Sequence, residues 1–132
     1  MAGTKSNQLN TALLNHVLRN SAFSPPATNY LALYTVSPAA GSDGTEVTGG
    51  AYARQAIGWA ASVAGSGLIT TSADIVFPVA TGSWGTIVAW AVCSASVGTG
   101  TIMYWGSMNT NRTIGAGEQI KFSAGQIGLY ED

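Results

Sequence analysis

The sequence carries very little charge. Of its 132 residues 8% are charged and 46% are apolar, whereas an average soluble domain has about 25% charged residues. Disordered chains combine low hydrophobicity with high charge, so this chain is not one of them. Charge on a surface limits self-association. We therefore expect other subunits to cover part of this surface, in a homo-oligomer that is a trimer or alternatively a dimer.

The few cations are scattered along the chain. They are Lys5, Arg19, Arg54, Arg112 and Lys121, and the net charge is -1. A protein that binds nucleic acid needs clustered cations to neutralise phosphates. We expect no nucleic acid among the partners.

Cysteine and histidine are almost absent, since Cys93 and His16 occur once each. One cysteine cannot form an intramolecular disulfide, and its apolar neighbours favour a buried thiol. A serine triad needs a histidine base, and a zinc site needs three or four ligands. The close glycine pairs lack the third glycine of a dinucleotide loop, and neither lysine follows a phosphate loop. We predict no catalytic residue, cofactor or metal site.

Acidic residues are also few. A glycosidase needs two carboxylates that converge on a cleft, and the sequence alone does not forbid such a pair. The internal acids from which it would come are Asp43, Glu46, Asp74 and Glu118.

Long apolar runs are missing as well. The longest, Ile87 to Cys93, has seven residues, far fewer than the ~20 of a membrane-spanning helix. The first ten residues, "MAGTKSNQLN", are polar and lack the apolar region of a signal peptide. We expect no membrane partner and synthesis in the cytoplasm.

One segment, 6–20, has the hydrophobic period of an amphipathic helix. Leu9, Leu13 and Val17 recur at i, i+4 and i+8 on one face. Ser6 or Asn7 is a suitable N-cap. We predict an N-terminal helix and interpret these three apolar residues as a possible interface with another subunit.

Beyond Pro26 the hydrophobic period changes to two, which indicates strands. Short strands at this spacing favour an antiparallel β-sandwich of seven or eight strands, so the prediction is mainly β, with a single domain over residues 1–132. The strand from Gly85 to Cys93 is apolar on both faces. The helix or a neighbouring subunit is expected to cover its second face.

The stretch "GTEVTGGAYARQAIGWAA", Gly44 to Ala61, holds one acid and one arginine around a glycine pair. Arg54 is the only charge in the strand that follows the glycines. Such a charge needs a partner, and Glu46 on the returning loop is the natural one. We predict a structural ion pair between them, with an exposed Arg54 at a strand edge as the alternative.

The same stretch is part of a resemblance. The chain resembles a family of small tailed-bacteriophage virion proteins, often labelled tail-fibre proteins. The segments that carry the resemblance follow one another in the family's order, and they are "GTEVTGGAYARQ", "FPVATGSWG" and "MYWGSMNTNRTIGAGEQIKF". The resemblance implies a β-rich, non-enzymatic virion protein. Because the chain lacks the long shaft of a complete fibre, we expect a capsid cement (decoration) protein on the capsid surface, with the major capsid protein as its partner.

The alternative is a tail-fibre or tail-tip module that binds a receptor or glycan. Exposed aromatic rings would then stack on sugars, and the same rings would otherwise fill the core of the sandwich. The candidates are Trp59, Trp84, Trp90, Trp105, Tyr104 and Tyr130.

Overall fold

The computed structural model describes residues 2–39, 43–62, 67–97 and 102–130. These described residues form one helix and ten strands, several of which are very short. In chain order the elements are β1 (Ala2–Lys5), α1 (Asn7–Arg19), β2 (Asn29–Val36), β3 (Thr45–Glu46), β4 (Gln55–Ile57), β5 (Leu68–Thr70), β6 (Ile75–Val76), β7 (Gly85–Cys93), β8 (Ile102–Ile114), β9 (Lys121–Phe122) and β10 (Gly128–Tyr130).

Helix α1 begins and ends at recognisable caps. The Ser6 hydroxyl accepts a hydrogen bond from the Leu9 N–H at 3.1 Å, which satisfies one of the free donors of the first turn. The helix is capped at its C-terminus by Asn20, whose backbone is left-handed with φ of 54°. Asparagine tolerates this conformation better than most residues. The predicted N-terminal helix is therefore present.

The strands form one large sheet in the order β3-β2-β7-β8-β1-β10-β5, with β4 also paired to β2. All of its pairings are antiparallel except that of β1 with β10, which is parallel. Strands β6 and β9 form a separate two-stranded ribbon. The mainly β, largely antiparallel fold with an N-terminal helix agrees with the prediction.

The large sheet also curls until its two ends meet. Strand β4 lies on the edge of β2 that faces away from β7. At the other end of the sheet, Thr71 just beyond β5 pairs with Trp59 just beyond β4, and the Ala60 N–H donates to the Thr70 carbonyl at 2.8 Å. The layers of the predicted sandwich are thus joined in a closed sheet, which is the arrangement of a barrel.

Large apolar side chains fill the interior of the closed sheet. Trp90 on β7 is fully buried there, together with Leu31 and Leu33 of β2. Gly3 of β1 lies directly against the Trp90 ring, because a Cβ at position 3 would be 2.7 Å from Trp90 Cη2. The ribbon contributes Phe122 to the same core.

A second, smaller cluster lies on the opposite face of β2 and β7. It is built mainly of small residues, among them Ala32, Ala89, Ala91 and Cys93, and all four are inaccessible to solvent. The chain itself therefore buries both faces of β7. A neighbouring subunit is not needed to bury either face, and α1 packs through Leu9 against the larger cluster, which includes Trp90 and Val92 of β7.

Candidate functional site

The structure brings Glu46 and Arg54 together. Glu46 lies on β3 and Arg54 directly precedes β4, so the loop between them returns the chain to the same edge of β2. Arg54 donates from Nη2 to Glu46 Oε1 and from Nε to Oε2, each at 2.8 Å. Its Nη1 donates to the Ala95 carbonyl, also at 2.8 Å. The forked guanidinium thus binds one carboxylate with two parallel hydrogen bonds.

Tyr52 is a third member of this cluster. Its hydroxyl donates to Glu46 Oε2 at 2.7 Å and accepts from the Leu33 N–H of β2 at 2.9 Å. Its ring stacks on Phe77 and meets the edge of Trp84. Burial and the neighbouring carboxylate raise the pKa of Tyr52 above its ordinary range, although the Leu33 N–H opposes the shift. The phenol therefore stays neutral and acts as a hydrogen-bond bridge.

The electrostatics of the cluster favour a fixed structure. The hydrogen bonds that Arg54 donates to the Glu46 carboxylate raise the pKa of Arg54 above its ordinary value, and burial opposes this effect, so Arg54 stays a cation. Both oxygens of the carboxylate are occupied by hydrogen bonds. This arrangement joins the loop around the glycine pair to β2 and to the segment after β7.

Two further internal acids, Asp74 and Glu118, have partners of their own. Asp74 lies 3.7 Å from the Lys121 ammonium and accepts a hydrogen bond from the Ala124 N–H. Glu118 accepts from the Gly115 N–H within one turn. Within the part of the chain that the structure describes, no three His, Cys, Asp or Glu side chains are placed to hold a metal ion.

The single cysteine and histidine lie apart. Cys93 is buried beside Tyr34, and burial raises the pKa of its thiol above the ordinary range, which lowers its reactivity. His16 is on the exposed side of α1, where its Nδ1 lies 3.1 Å from the Ser21 carbonyl oxygen. Neither residue has the surroundings of a nucleophile or its base.

The comparison with protein families decides the class of this chain. The family model described as Podophage GP4 fiber I protein gp80 matches residues 4–130. The chain belongs to this podophage fibre family. No curated protein matches the sequence. The expected relation to phage virion structural proteins is confirmed, and among the described residues no helix is long and apolar enough to cross a membrane.

The aromatic residues of this fibre-family chain lie mostly in its interior. Trp84 and Trp90 are buried, and the Trp84 indole donates to the Gly50 carbonyl at 2.9 Å. Trp59 and Tyr104 are half-buried against the core, and Trp105 is half-buried against the smaller cluster. The side chain of Tyr130 lies outside the described part of the structure. An exposed aromatic platform for sugars is not among the features described.

Helix α1 presents the largest group of exposed apolar side chains that are close in sequence. Leu14, Val17 and Leu18, which we call the outer face of α1, are 60%, 72% and 75% exposed. Leu13 is half-buried between this face and the core. Leu9 is buried in the core of its own chain and is unavailable to a partner, because its position on the helix points toward β8. Of the three predicted interface residues only Val17 is fully on the surface.

Two features of the site cannot be predicted in full from the sequence. Tyr52 belongs to the Glu46 cluster, and only the acid–arginine pair suggested that cluster before the fold was known. The outer face of α1 follows from the same helical period as the inner face, and the fold decides which stripe stays exposed.

Proposed function

We propose that this chain is a non-enzymatic structural subunit of the phage tail fibre, and that the outer face of α1 joins it to further copies of the same chain. The observation that carries the proposal is the exposed apolar outer face of α1 on a chain of the fibre family. Contiguous exposed apolar surface of this kind marks interaction sites in soluble proteins.

The outer face is suited to pairing with copies of itself. Burying a Leu or Val side chain fully contributes about 1.5–3 kcal/mol, and these three side chains are more than half exposed. Within α1 the only side chain of permanent charge is Arg19, at the last position. Copies of the helix can therefore pack together without opposing like charges along their length.

Three side chains alone do not reach the ~800 Å² per partner of a typical stable interface. A shallow groove beside them, lined by Lys5, Asn10 and Leu13, extends the surface. In a fibre, each subunit is also held by several neighbours at once. Modest contacts then suffice, because linked binding events raise the effective concentration.

The family description supports the tail fibre better than the capsid surface. A cement protein would have the major capsid protein as its partner, and nothing in the geometry favours that partner. The engaged state of Glu46 and the separation of the other acids support a non-enzymatic role.

Copy number and location in purified virions test the proposal. Tails would be separated from capsids, and the chain would be quantified by mass spectrometry in each fraction. We expect it in the tail fraction at a small fraction of the copy number of the major capsid protein. Recovery with the capsid, at a simple ratio to that protein, would overturn the tail assignment.

A matched pair of valines tests the role of α1. Val17 is 72% exposed on α1 and Val97 is 78% exposed after β7. We expect Val17→Lys to lower the oligomer mass measured by light scattering and Val97→Lys to leave it unchanged. A lysine near the C-terminus of a helix is favourable for the helix itself. An unchanged oligomer mass in Val17→Lys would contradict the proposal.

A further inference from the structure

The two-stranded ribbon of β6 and β9 has one buried face and one exposed face. Ile75 of β6, the nearby Phe77 and Phe122 of β9 are buried in the core. Successive side chains of a strand point to opposite faces. Val76 and Lys121, which pair with each other across the ribbon, therefore point away from the core.

Two apolar and two charged side chains make up the exposed face, which we call the outer face of the ribbon. They are Val76, Val79, Asp74 and Lys121. The valines are 45% and 50% exposed, and the Asp74 and Lys121 side chains are 51% and 54% exposed. Apolar surface that is rimmed by polar groups in this way marks interaction sites.

The two charges of this face lie close together but do not satisfy each other. Lys121 Nζ is 3.7 Å from Asp74 Oδ2, which is too far for a hydrogen bond. The other carboxylate oxygen of Asp74 accepts from the Ala124 N–H at 2.9 Å. An ammonium carries three donors and a carboxylate about four acceptor sites, so both groups can bind a partner.

A face with one acid and one base is complementary to a copy of itself. When two such faces meet about a two-fold axis that passes between the charges, Lys121 of each copy lies opposite Asp74 of the other. The same contact covers Val76 and Val79 in both copies. A partner with charges of one sign would satisfy one of the two groups and repel the other. The charge pattern therefore favours a second copy of this chain as the occupant.

The outer face of the ribbon and the outer face of α1 lie near opposite ends of β7. Ser6, the N-cap of α1, donates its N–H to the Met103 carbonyl of β8 at 2.8 Å, and the preceding residue, Ile102, pairs with the last residue of β7. The ring of Phe77 beside the ribbon meets the edge of Trp84, which precedes the first residue of β7. A strand of nine residues spans about 30 Å. One copy can therefore contact two neighbours at once.

We propose that the outer face of the ribbon joins two copies of this chain about a two-fold axis. Lys121 of each copy pairs with Asp74 of the other, beside the valines of both copies. A single face of this kind ends in a dimer, whereas two such faces at opposite ends of a subunit produce an open row. The ribbon contact rests on the ribbon alone, and the row rests also on the proposed role of α1.

The variant Val17→Lys isolates the ribbon contact, because it blocks the outer face of α1. The full-length variant would be followed by sedimentation equilibrium between about 10 μM and 1 mM, the range expected for a contact of small area. We expect it to form dimers and nothing larger, whereas the wild-type mass should keep rising with concentration. A variant that stays monomeric throughout this range would overturn the ribbon contact.

A matched pair of substitutions in the Val17→Lys chain locates the contact. Val76→Glu puts a charge at the centre of the face, and an acid opposite Lys121 is favourable for the ribbon itself. We expect it to raise the dissociation constant of the dimer by about tenfold or more. Val97→Glu alters a valine that is 78% exposed after β7 and should leave the constant unchanged. Equal constants for the two variants would refute the proposal.

Charge reversal tests the pairing of Lys121 with Asp74. In the same background, Lys121→Glu leaves a face with two acids, and Asp74→Lys leaves a face with two bases. Each variant alone should dimerise about tenfold more weakly than the parent, since two ion pairs of the contact become repulsive. A mixture of the two should regain dimers, because acids then face bases. Asp74→Lys also loses the hydrogen bond to the Ala124 N–H, so its urea midpoint is measured to confirm that it is folded.

The outcomes separate the ribbon contact from the proposed function. A mixture that dimerises no better than its components would overturn the charge pairing and with it the two-fold contact. If Val17→Lys has the same mass as the wild type, the role of α1 fails, and the comparison of Val76→Glu with Val97→Glu still decides the ribbon contact. Recovery of the chain on capsids would refute the tail location alone, because self-association is measured on the purified chain.

Discussion

Breaking the Glu46–Arg54 pair from either side should have unequal effects on stability. The side chain of Arg54 is 7% exposed, whereas that of Glu46 is 24% exposed. Removing Glu46 takes away the carboxylate that accepts two hydrogen bonds from a buried cation. Removing Arg54 leaves a carboxylate that water can reach and that still accepts from Tyr52. We therefore expect Glu46→Ala to destabilise the chain more than Arg54→Ala.

The geometry sets the size of both effects. Breaking a buried ion pair by removing one partner costs about 3–5 kcal/mol, and partial exposure reduces this. We expect a loss of about 3 kcal/mol in the free energy of unfolding for Glu46→Ala and about 2 kcal/mol for Arg54→Ala. The double variant should lose about 3 kcal/mol, not the sum, which corresponds to a coupling energy of about 2 kcal/mol.

Urea unfolding at neutral pH, followed by tryptophan fluorescence, measures these differences. Lys121→Ala is the control, because the Lys121–Asp74 pair is 3.7 Å apart with side chains 54% and 51% exposed. Exposed pairs of this type contribute about 0–1 kcal/mol. If Glu46→Ala and Arg54→Ala cost no more than this control, or if Arg54→Ala is the more damaging, the reasoning from burial is refuted.

Two further predictions concern the core and its phenols. Gly3→Ala should destabilise the chain by about 1–3 kcal/mol through overpacking, since the added Cβ would press on the Trp90 ring. The control Gly82→Ala should be nearly neutral, because its Cβ would only come into ordinary van der Waals contact. Equal urea midpoints for the two variants would contradict this prediction. Burial raises the pKa of Tyr34 and of Tyr52 above the ordinary value. The unfolded chain therefore releases these two protons near pH 10, while the folded chain keeps them. Above that pH the free energy of unfolding should fall by about 1.4 kcal/mol per pH unit for each tyrosine. Tyr34→Phe should make this decline shallower by one proton, and an unchanged slope would show that Tyr34 ionises normally in the folded chain.

The elements with a strong local signal were predictable. Strand β7 contains the longest apolar run, and its predicted limits, Gly85 to Cys93, agree with the structure. Helix α1 has an N-cap and a clear period. By contrast, β1 has the sequence "AGTK", which has no alternation of apolar and polar residues. It is a strand because β8 and β10 provide partners on both sides, and this pairing cannot be read from four residues.

The features of the candidate site also differ in how far the sequence predicts them. The need of a lone arginine for a partner suggests Glu46 from sequence, because charge neutralisation is a strong requirement at any buried position. The outer face of the ribbon depends on how β6 and β9 pair with each other. Its charged residues, Asp74 and Lys121, come from segments far apart in the chain, and no local pattern brings them together.

The position of β1 determines when the fold can form. Lys5 pairs with Tyr104 of β8, and Ala2 pairs with Gly128 of β10. Strand β1 therefore waits for two strands that come much later in the chain, and such distant pairings slow folding. Until then the edges of β8 and β10 stay open to pairing with other chains. A chain on the ribosome that has not yet reached residue 128 should therefore be prone to aggregate.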